Sequence, residues 1–362
     1  MKRCVIVSKE PAKWIEQFSN FSIMVLNPAA PVSYNEYLLE NSDYSLLVTD
    51  DETRERNGKD YPGEKLFWYT SGTTGYSKFY SFSAEQRDTL AKTICKAYSL
   101  TKNDRYFGVM PLWHSHGQGM YWAVKQSGCE CKFGSVKTHT DRDLFEKLQP
   151  TFLSSIPDMM PIIMKMNLKN LRFVRTASSA LPDLLYNQLK EKWGVPVIEA
   201  FGMTETLSHC FTNPLNGEQR IGTVGLPSGI EAKVEQGHLL IKGPCIFKTD
   251  WLDTGDLVEQ DEKGYFRILG RHIDQINIFG MKINPLAVEN HLYNRFPEIK
   301  NCVVFGDKKL KCLIQGDVDL LKVKNFLTSL GDHYRPVVLE TIAVIPTNNS
   351  GKISRKQLES LF

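Results

Sequence analysis

Hydrophobic and polar positions along the chain follow two alternating rhythms. Apolar runs of strand length recur at residues 46–49, 66–69, 106–110, 152–156, 171–176 and 195–200. Helix-period stretches lie between several of them. One opens at Ser83, with Gln86 three residues on as a capping box, and places Leu90, Ile94 and Ala97 on one face. Others cover about 141–148 and 182–193. This strand–helix alternation predicts a layered α/β domain with a largely parallel sheet. At 221–270 the rhythm shortens into Gly- and Pro-punctuated alternating segments, which predict a small antiparallel β module. From about Arg271 the pattern predicts a compact α+β unit. Its expected elements are a helix at 285–296, strands at 302–305 and 312–314, a helix at 318–330 and a last strand at 342–345. The expected division is a large domain, 1–270, and a small domain, 271–362.

Composition adds mainly exclusions. The 362 residues suffice for two or three domains. Hydrophobic residues at 42% and charged residues at 23% are an ordinary globular balance. A net charge of +3 gives no reason to expect nucleic acid. The basic start is followed by only four apolar residues, Cys4 to Val7. A signal peptide needs roughly 7–15 there, so the start reads as a strand. No run approaches the ~18 apolar residues of a membrane span. Eight scattered cysteines, with Cys129 and Cys131 as a lone C-x-C, lack the second pair that a zinc site needs. They read as reduced thiols, and the expected location is cytoplasmic.

Candidate chemistry concentrates in Tyr69-Thr-Ser-Gly-Thr-Thr-Gly-Tyr-Ser-Lys78, between an apolar strand and a capped helix. Its hydroxyls can donate to phosphate oxygens, Gly72 and Gly75 let backbone amides approach, and Lys78 supplies charge. The Walker spacing cannot be laid on it. The segment resembles the phosphate loop of the adenylate-forming superfamily, which includes acyl- and aryl-CoA synthetases, luciferases and nonribosomal peptide synthetase adenylation domains. Six further segments are similar to that superfamily's motifs and appear in its order. They are Pro111-Leu-Trp-His-Ser-His-Gly117, Thr176-Ala-Ser-Ser-Ala-Leu181, Phe201-Gly-Met-Thr-Glu205, Trp251-Leu-Asp-Thr-Gly-Asp256, the run from Gly270 to Gly280, and the run from Pro346 to Arg355.

The resemblance implies an enzyme that joins a carboxylic acid to AMP with loss of pyrophosphate, then passes the acyl group to a thiol. It implies ATP, Mg²⁺ and either coenzyme A or the phosphopantetheine of an acyl or peptidyl carrier protein. Thr70, Ser71, Gly72, Thr73, Thr74, Gly75 and Lys78 would hold phosphates, and Glu205 would hold the metal. Thr204 would meet the α-phosphate, and Lys352 would bridge carboxylate and phosphate. Ser178, Ser179 and Ala180 would flank the adenine, with Phe201 stacked on it and Gly202 beside it. Asp256 would accept from the ribose hydroxyls, and Arg271 would touch the ribose or position a mobile small domain. Gly280 would line the pantetheine tunnel. His114 would gate an acyl pocket lined by Trp113, His114, Ser115, Gln118, Ser178, Leu207 and His209. Aromatic and polar residues there favour an aryl or short acyl acid over a long chain.

The sequence departs from the pattern in three ways. Only about 65 residues precede the phosphate loop, the presumed hinge position holds the stiff Ile273, and the C-terminal unit is trimmed. Two alternatives stay open at this level: an enzyme that passes acyl-AMP to an amine or hydroxyl, and a non-catalytic nucleotide- or acyl-binding protein.

Overall fold

The first strand is buried on both faces: Cys4 and Ile6 enter one apolar cluster and Val5 enters another, so helices can cover both faces of its sheet. The computed structural model describes residues 1–70, 78–136, 138–248, 250–347 and 353–362, with Thr70 described by its backbone alone. In chain order the first elements are β1 (Arg3–Val7), α1 (Pro11–Gln17), β2 (Ser22–Leu26), α2 (Val32–Ser42), β3 (Leu46–Thr49), β4 (Thr53–Glu55), β5 (Glu64–Thr70) and β6 (Lys78–Ser83). They form a six-stranded sheet in the order β4-β3-β1-β2-β5-β6. Its four central strands are parallel and its edges antiparallel.

A second sheet follows α3 (Ala84–Tyr98). It is built by β7 (Arg105–Gly108), α4 (Ser115–Ser127), β8 (Glu130–Phe133), α5 (His139–Leu148), β9 (Phe152–Ser155), α6 (Met160–Ile163), β10 (Phe173–Thr176), α7 (Asp183–Trp193), β11 (Val197–Phe201), β12 (Phe211–Thr212) and β13 (Leu226–Pro227). The strand order is β13-β12-β11-β10-β9-β7-β8, parallel from β11 to β8. One core cluster unites Trp68 and Phe82 of the first sheet, Leu90 and Ile94 of α3, Met120 and Val124 of α4, and Phe152 and Phe173 of the second sheet. So α3 and α4 lie between the sheets, while α5, α6 and α7 cover the second sheet's outer face. Ser83 caps α3 through the expected reciprocal box with Gln86. The periodicity did not single out α4. It is buried almost without a break from His116 to Val124, so it has no polar stripe to give a helical period.

The antiparallel module is β14 (Glu231–Glu235), β15 (His238–Lys242), β16 (Leu252–Gln260) and β17 (Phe266–Arg271). Beyond it come β18 (Ile276–Ile278), β19 (Met281–Ile283), α8 (Pro285–Arg295), β20 (Ile299–Phe305), β21 (Lys311–Gly316), α9 (Leu320–Ser329), β22 (Val338–Thr341) and α10 (Arg355–Leu361). One expectation needs correction here. The last strand is Val338–Thr341, paired in parallel with β21, and not 342–345. Residues 342–345 are apolar for another reason: Ile345 is packed with Phe305 and with Leu358 of α10. Among the described residues, no helix is long and apolar enough to cross a membrane.

Candidate active site

Three of the segments singled out by sequence leave the carboxyl ends of parallel strands: β7 leads to 111–117, β10 to 176–181 and β11 to 201–207. In open α/β sheets this edge is where ligands bind, because diverging loops leave a crevice there. Thr70 ends β5 and the exposed Lys78 opens β6. Ser71, Gly72, Thr73, Thr74, Gly75 and Lys352 lie outside the described residues.

After β11 the chain folds back sharply. A Cβ on Gly202 would stand 1.9 Å from the carbonyl oxygen of Ser208, so only glycine permits this approach. Leu207 and Ser208 both have positive φ, 54° and 98°, a strain that tends to collect at functional sites. The fold-back puts Thr204 and Glu205 on a short, half-buried 3₁₀ turn. The Tyr80 hydroxyl donates to Glu205 Oε1 at 2.7 Å, and Phe247 of the β module packs edge-on to Tyr80. Phe247 N–H also donates to the Glu205 carbonyl at 3.1 Å. The Glu205 carboxylate is thus held by Tyr80 and its backbone by Phe247. Phe201 is half-buried and edge-on to Phe211.

Asp256 is 3% exposed on β16 and stands opposite Arg271 on β17. Arg271 Nε lies 2.8 Å from Asp256 Oδ1, while Oδ2 is buried with no hydrogen-bond partner among the described residues. Burial lifts the carboxyl to about 6, against the pull of Arg271. A buried acceptor left open is costly unless something fills it. A sugar hydroxyl is a fitting donor.

The 111–117 segment brings His116 rather than His114 into the polar interior. His114 is half-buried at the N-terminus of α4, beside Trp113. His116 is buried, with Nδ1 3.1 Å from Ser178 Oγ and Nε2 2.9 Å from Ser154 Oγ. Arg175 Nη1 donates to the same Nε2 at 2.7 Å, and its Nε donates to Tyr98 Oη at 2.9 Å. Burial, then the Arg175 charge, then His114 and His209 hold His116 well below its usual value, so it is neutral. Ser178 and Ser179 are exposed, and Ala180 is half-buried. The sequence reading missed Arg175, Tyr80 and Ser154. Arg175 did leave a signal: of the two arginines in the run 171–176 it is the one inside the apolar Phe-Val-Arg-Thr stretch that becomes β10.

The other residues expected around an acyl pocket divide. Ser115 and Trp113 are half-buried. Gln118 is buried, and its Oε1 accepts from Trp122 Nε1 at 3.1 Å. Leu207 belongs to the core cluster between the sheets. His209 is buried, bonded through Nε2 to Ser228 Oγ at 2.9 Å, and pushed down to about 3 by burial and then Arg175.

In the C-terminal unit, Gly280 is exposed at the β18–β19 turn with φ +86°, and a Cβ there would meet nothing within 4 Å. Ile273 is 72% exposed in the turn after β17. Arg355 joins that turn to the end of the chain. It makes bonds of 2.7 and 2.9 Å to Glu289 and one of 3.3 Å to Asp274. Among the described residues, no group of three His, Cys, Asp or Glu could hold a metal unaided.

These segments thus carry one half-buried acid, Glu205, and one buried carboxylate with an open oxygen, Asp256. Comparison with known proteins agrees in class. A family model described as AMP-binding enzyme matches residues 65–251, just over half of the sequence, and the chain belongs to that family. It is 29% identical over 307 residues to oxalate–CoA ligase of Arabidopsis thaliana, covering 73% of this chain and 60% of that protein. It is 26% identical over 359 residues to 2-succinylbenzoate–CoA ligase of Lactococcus lactis subsp. lactis, covering 90% of this chain and 77% of that one. Thus the chain spans less than two thirds of the first and about three quarters of the second. The solved structure of an anthranilate CoA ligase in complex with anthranoyl-AMP has the same fold. Its TM-score is 0.87 at 21% identity, covering 100% of this chain and 87% of that chain.

Proposed function

We propose that this protein is an AMP-forming acid–thiol ligase. It would activate a small carboxylic acid with ATP to acyl-AMP, release pyrophosphate, and transfer the acyl group to coenzyme A. The observation that carries the reading is the open Oδ2 of Asp256, a buried acceptor beside Arg271 on the module that packs against the β11 loop. Coenzyme A is favoured over carrier-protein phosphopantetheine because the relatives named above are CoA ligases. The eight free thiols fit a reducing compartment such as the cytoplasm.

In this reading residues 70–78 hold the leaving phosphates, with Thr204 at the α-phosphate. Mg²⁺, held by Glu205 and phosphate oxygens, would neutralise charge between the two anions. Tyr80 aims the Glu205 carboxylate by donating to one of its oxygens. Phe201 offers a face to adenine, and Lys352 stabilises charge developing between acid and phosphate. Trp113, His114, Ser115 and Gln118 form the wall nearest the acid, with Leu207 and His209 packed behind it. The unit 271–362 would turn about Ile273 to exchange Lys352 for the Gly280 turn at the reaction centre.

The acids in the two relatives' names, oxalate and 2-succinylbenzoate, each carry two acid groups. A test panel should therefore contain diacids as well as aryl and short acyl acids. Acid-dependent exchange of labelled pyrophosphate into ATP, followed by thioester formation with coenzyme A or a holo-carrier protein, tests the proposal. AMP and pyrophosphate are the expected products. ADP and phosphate, or no exchange with any acid, would refute it.

A further inference from the structure

Arg175 is 2% exposed, the largest of the fully buried side chains. Its neighbour Phe173 points into the core between the sheets and Val174 points the other way, so Arg175 also points inward, toward α3 and α4. A buried charge is normally paired. The other buried arginine, Arg3, has Glu64 at 2.8 Å. The polar partners of Arg175 are instead Tyr98, Ser154 and His116, all neutral. No carboxylate among the described residues lies in ion-pair contact with it. The titratable imidazoles facing it, His116 and His209, are neutral and cannot neutralise a guanidinium.

The hydrogen-bond polarity of this chain is fixed by arginine's lack of any acceptor. Nη1 donates to His116 Nε2, so Nε2 carries the lone pair and Nδ1 carries the proton. Nδ1 then donates to Ser178 Oγ. Ser178 accepts there, which leaves its own O–H free to donate outward. Ser178 is exposed and held at φ +76°, an uncommon conformation for serine. The relay therefore runs from an uncompensated buried cation to an exposed hydroxyl donor just after β10. Such an end selects an acceptor, and an anion most strongly. Stability is a weak motive for this arrangement, because apolar residues of similar volume usually serve a core as well as buried charge does.

We propose that Arg175 is a specificity-determining positioning residue, acting through His116 and Ser178, that selects an acid carrying a second anionic group. The proposal rests on the acid-activating function above. A nucleotide phosphate shares the same chemistry, but the 70–78 loop and Lys78 already serve phosphate in that function, whereas His116 belongs to the acyl-side segment 111–117.

The test compares matched acids, malonate with propionate and succinate with butyrate, in pyrophosphate exchange. Wild-type protein, Arg175→Met and Arg175→Lys are each measured. Wild type should favour the diacid by about 10- to 100-fold in kcat/KM, the range of one charge-assisted contact. Arg175→Met should lose most of that ratio while propionate and butyrate stay within about threefold and KM for ATP is unchanged. Arg175→Lys should restore part of the ratio. Wild-type preference for the monoacid overturns the proposal, as does equal loss of both acids in a folded Met variant. A rise confined to KM for ATP assigns the relay to phosphate and overturns it too. If Arg175→Met fails to fold, Ser178→Ala removes the exposed end of the relay, and the same ratio is read. If no acid supports exchange, the ligase function fails. Calorimetric binding of succinate against butyrate to wild type and Arg175→Lys then decides this proposal separately: absence of a diacid preference sinks it.

Discussion

At the scale of single residues, Asp256 shows how burial prepares a binding group. Its carboxyl is raised to about 6, first by desolvation, with Arg271 pulling the other way. Only the ionised form accepts from two hydroxyls. Protonation on falling through pH 6 should therefore raise the apparent KM for ATP, with little change above that pH. Asp256→Asn should raise KM for ATP by about 10- to 100-fold, the equivalent of roughly 1.5–3 kcal/mol for a charged hydrogen bond, and flatten the pH response. An unchanged KM for ATP in the variant would remove Asp256 from the nucleotide site. Steady-state kinetics between pH 5 and 8 supplies both readings.

At the scale of elements, the loop after β10 is tied to its neighbour strand by Glu199. This buried residue of β11 accepts from the Leu181 N–H at 3.2 Å, and burial lifts its carboxyl to about 8. The ordinary value is 4.5, so folding takes up a proton between about 4.5 and 8. Over that window the folded state binds more protons than the unfolded state, and stability falls as pH rises, levelling off above 8. Glu199→Gln keeps the shape and cannot ionise. Its unfolding free energy relative to wild type, read from melting curves, should therefore climb from pH 5.5 to pH 8 by an amount on the order of 1–3 kcal/mol. Parallel melting curves at the two pH values would show that Glu199 keeps its proton nowhere in this range.

At the scale of the whole molecule, the proposed function requires the C-terminal unit to present two different segments to one centre. In that function Lys352 would serve the adenylating arrangement and Gly280 the thiolating one. Lys352→Ala should cut acid-dependent pyrophosphate exchange by about 10²–10³, yet still convert supplied acyl-AMP to thioester. Gly280→Leu should do the reverse. Its turn has open space for a side chain, so the effect of positive φ on folding must be checked by a melting curve. Loss of the same half-reaction in both variants would exclude alternation. The first place to look would then be the turn at Ile273 and the Arg355–Asp274 bond that spans it.

The sequence by itself determined the layered α/β class, the antiparallel module and the order of the motifs. These rest on local periodicity, capping and turn chemistry, which act between near neighbours: the Ser83–Gln86 box and the turn from Asp261 to Gly264 close on themselves. Periodicity failed where burial was complete or where packing mimicked pairing. α4 is buried almost without a break from His116 to Val124, and Ile342 and Ile345 are apolar because they pack with Leu358 of α10 and not because they join a sheet. Tertiary structure alone decided which histidine faces the polar interior, since that depends on the helix start at Ser115 and on two strands distant in sequence. It alone left Asp256 half-paired, and it alone set Arg175 against His116 without an acid. A charge in an apolar strand is visible in the sequence. Its lack of a counter-charge is a property of everything packed around it, and only the folded chain fixes that.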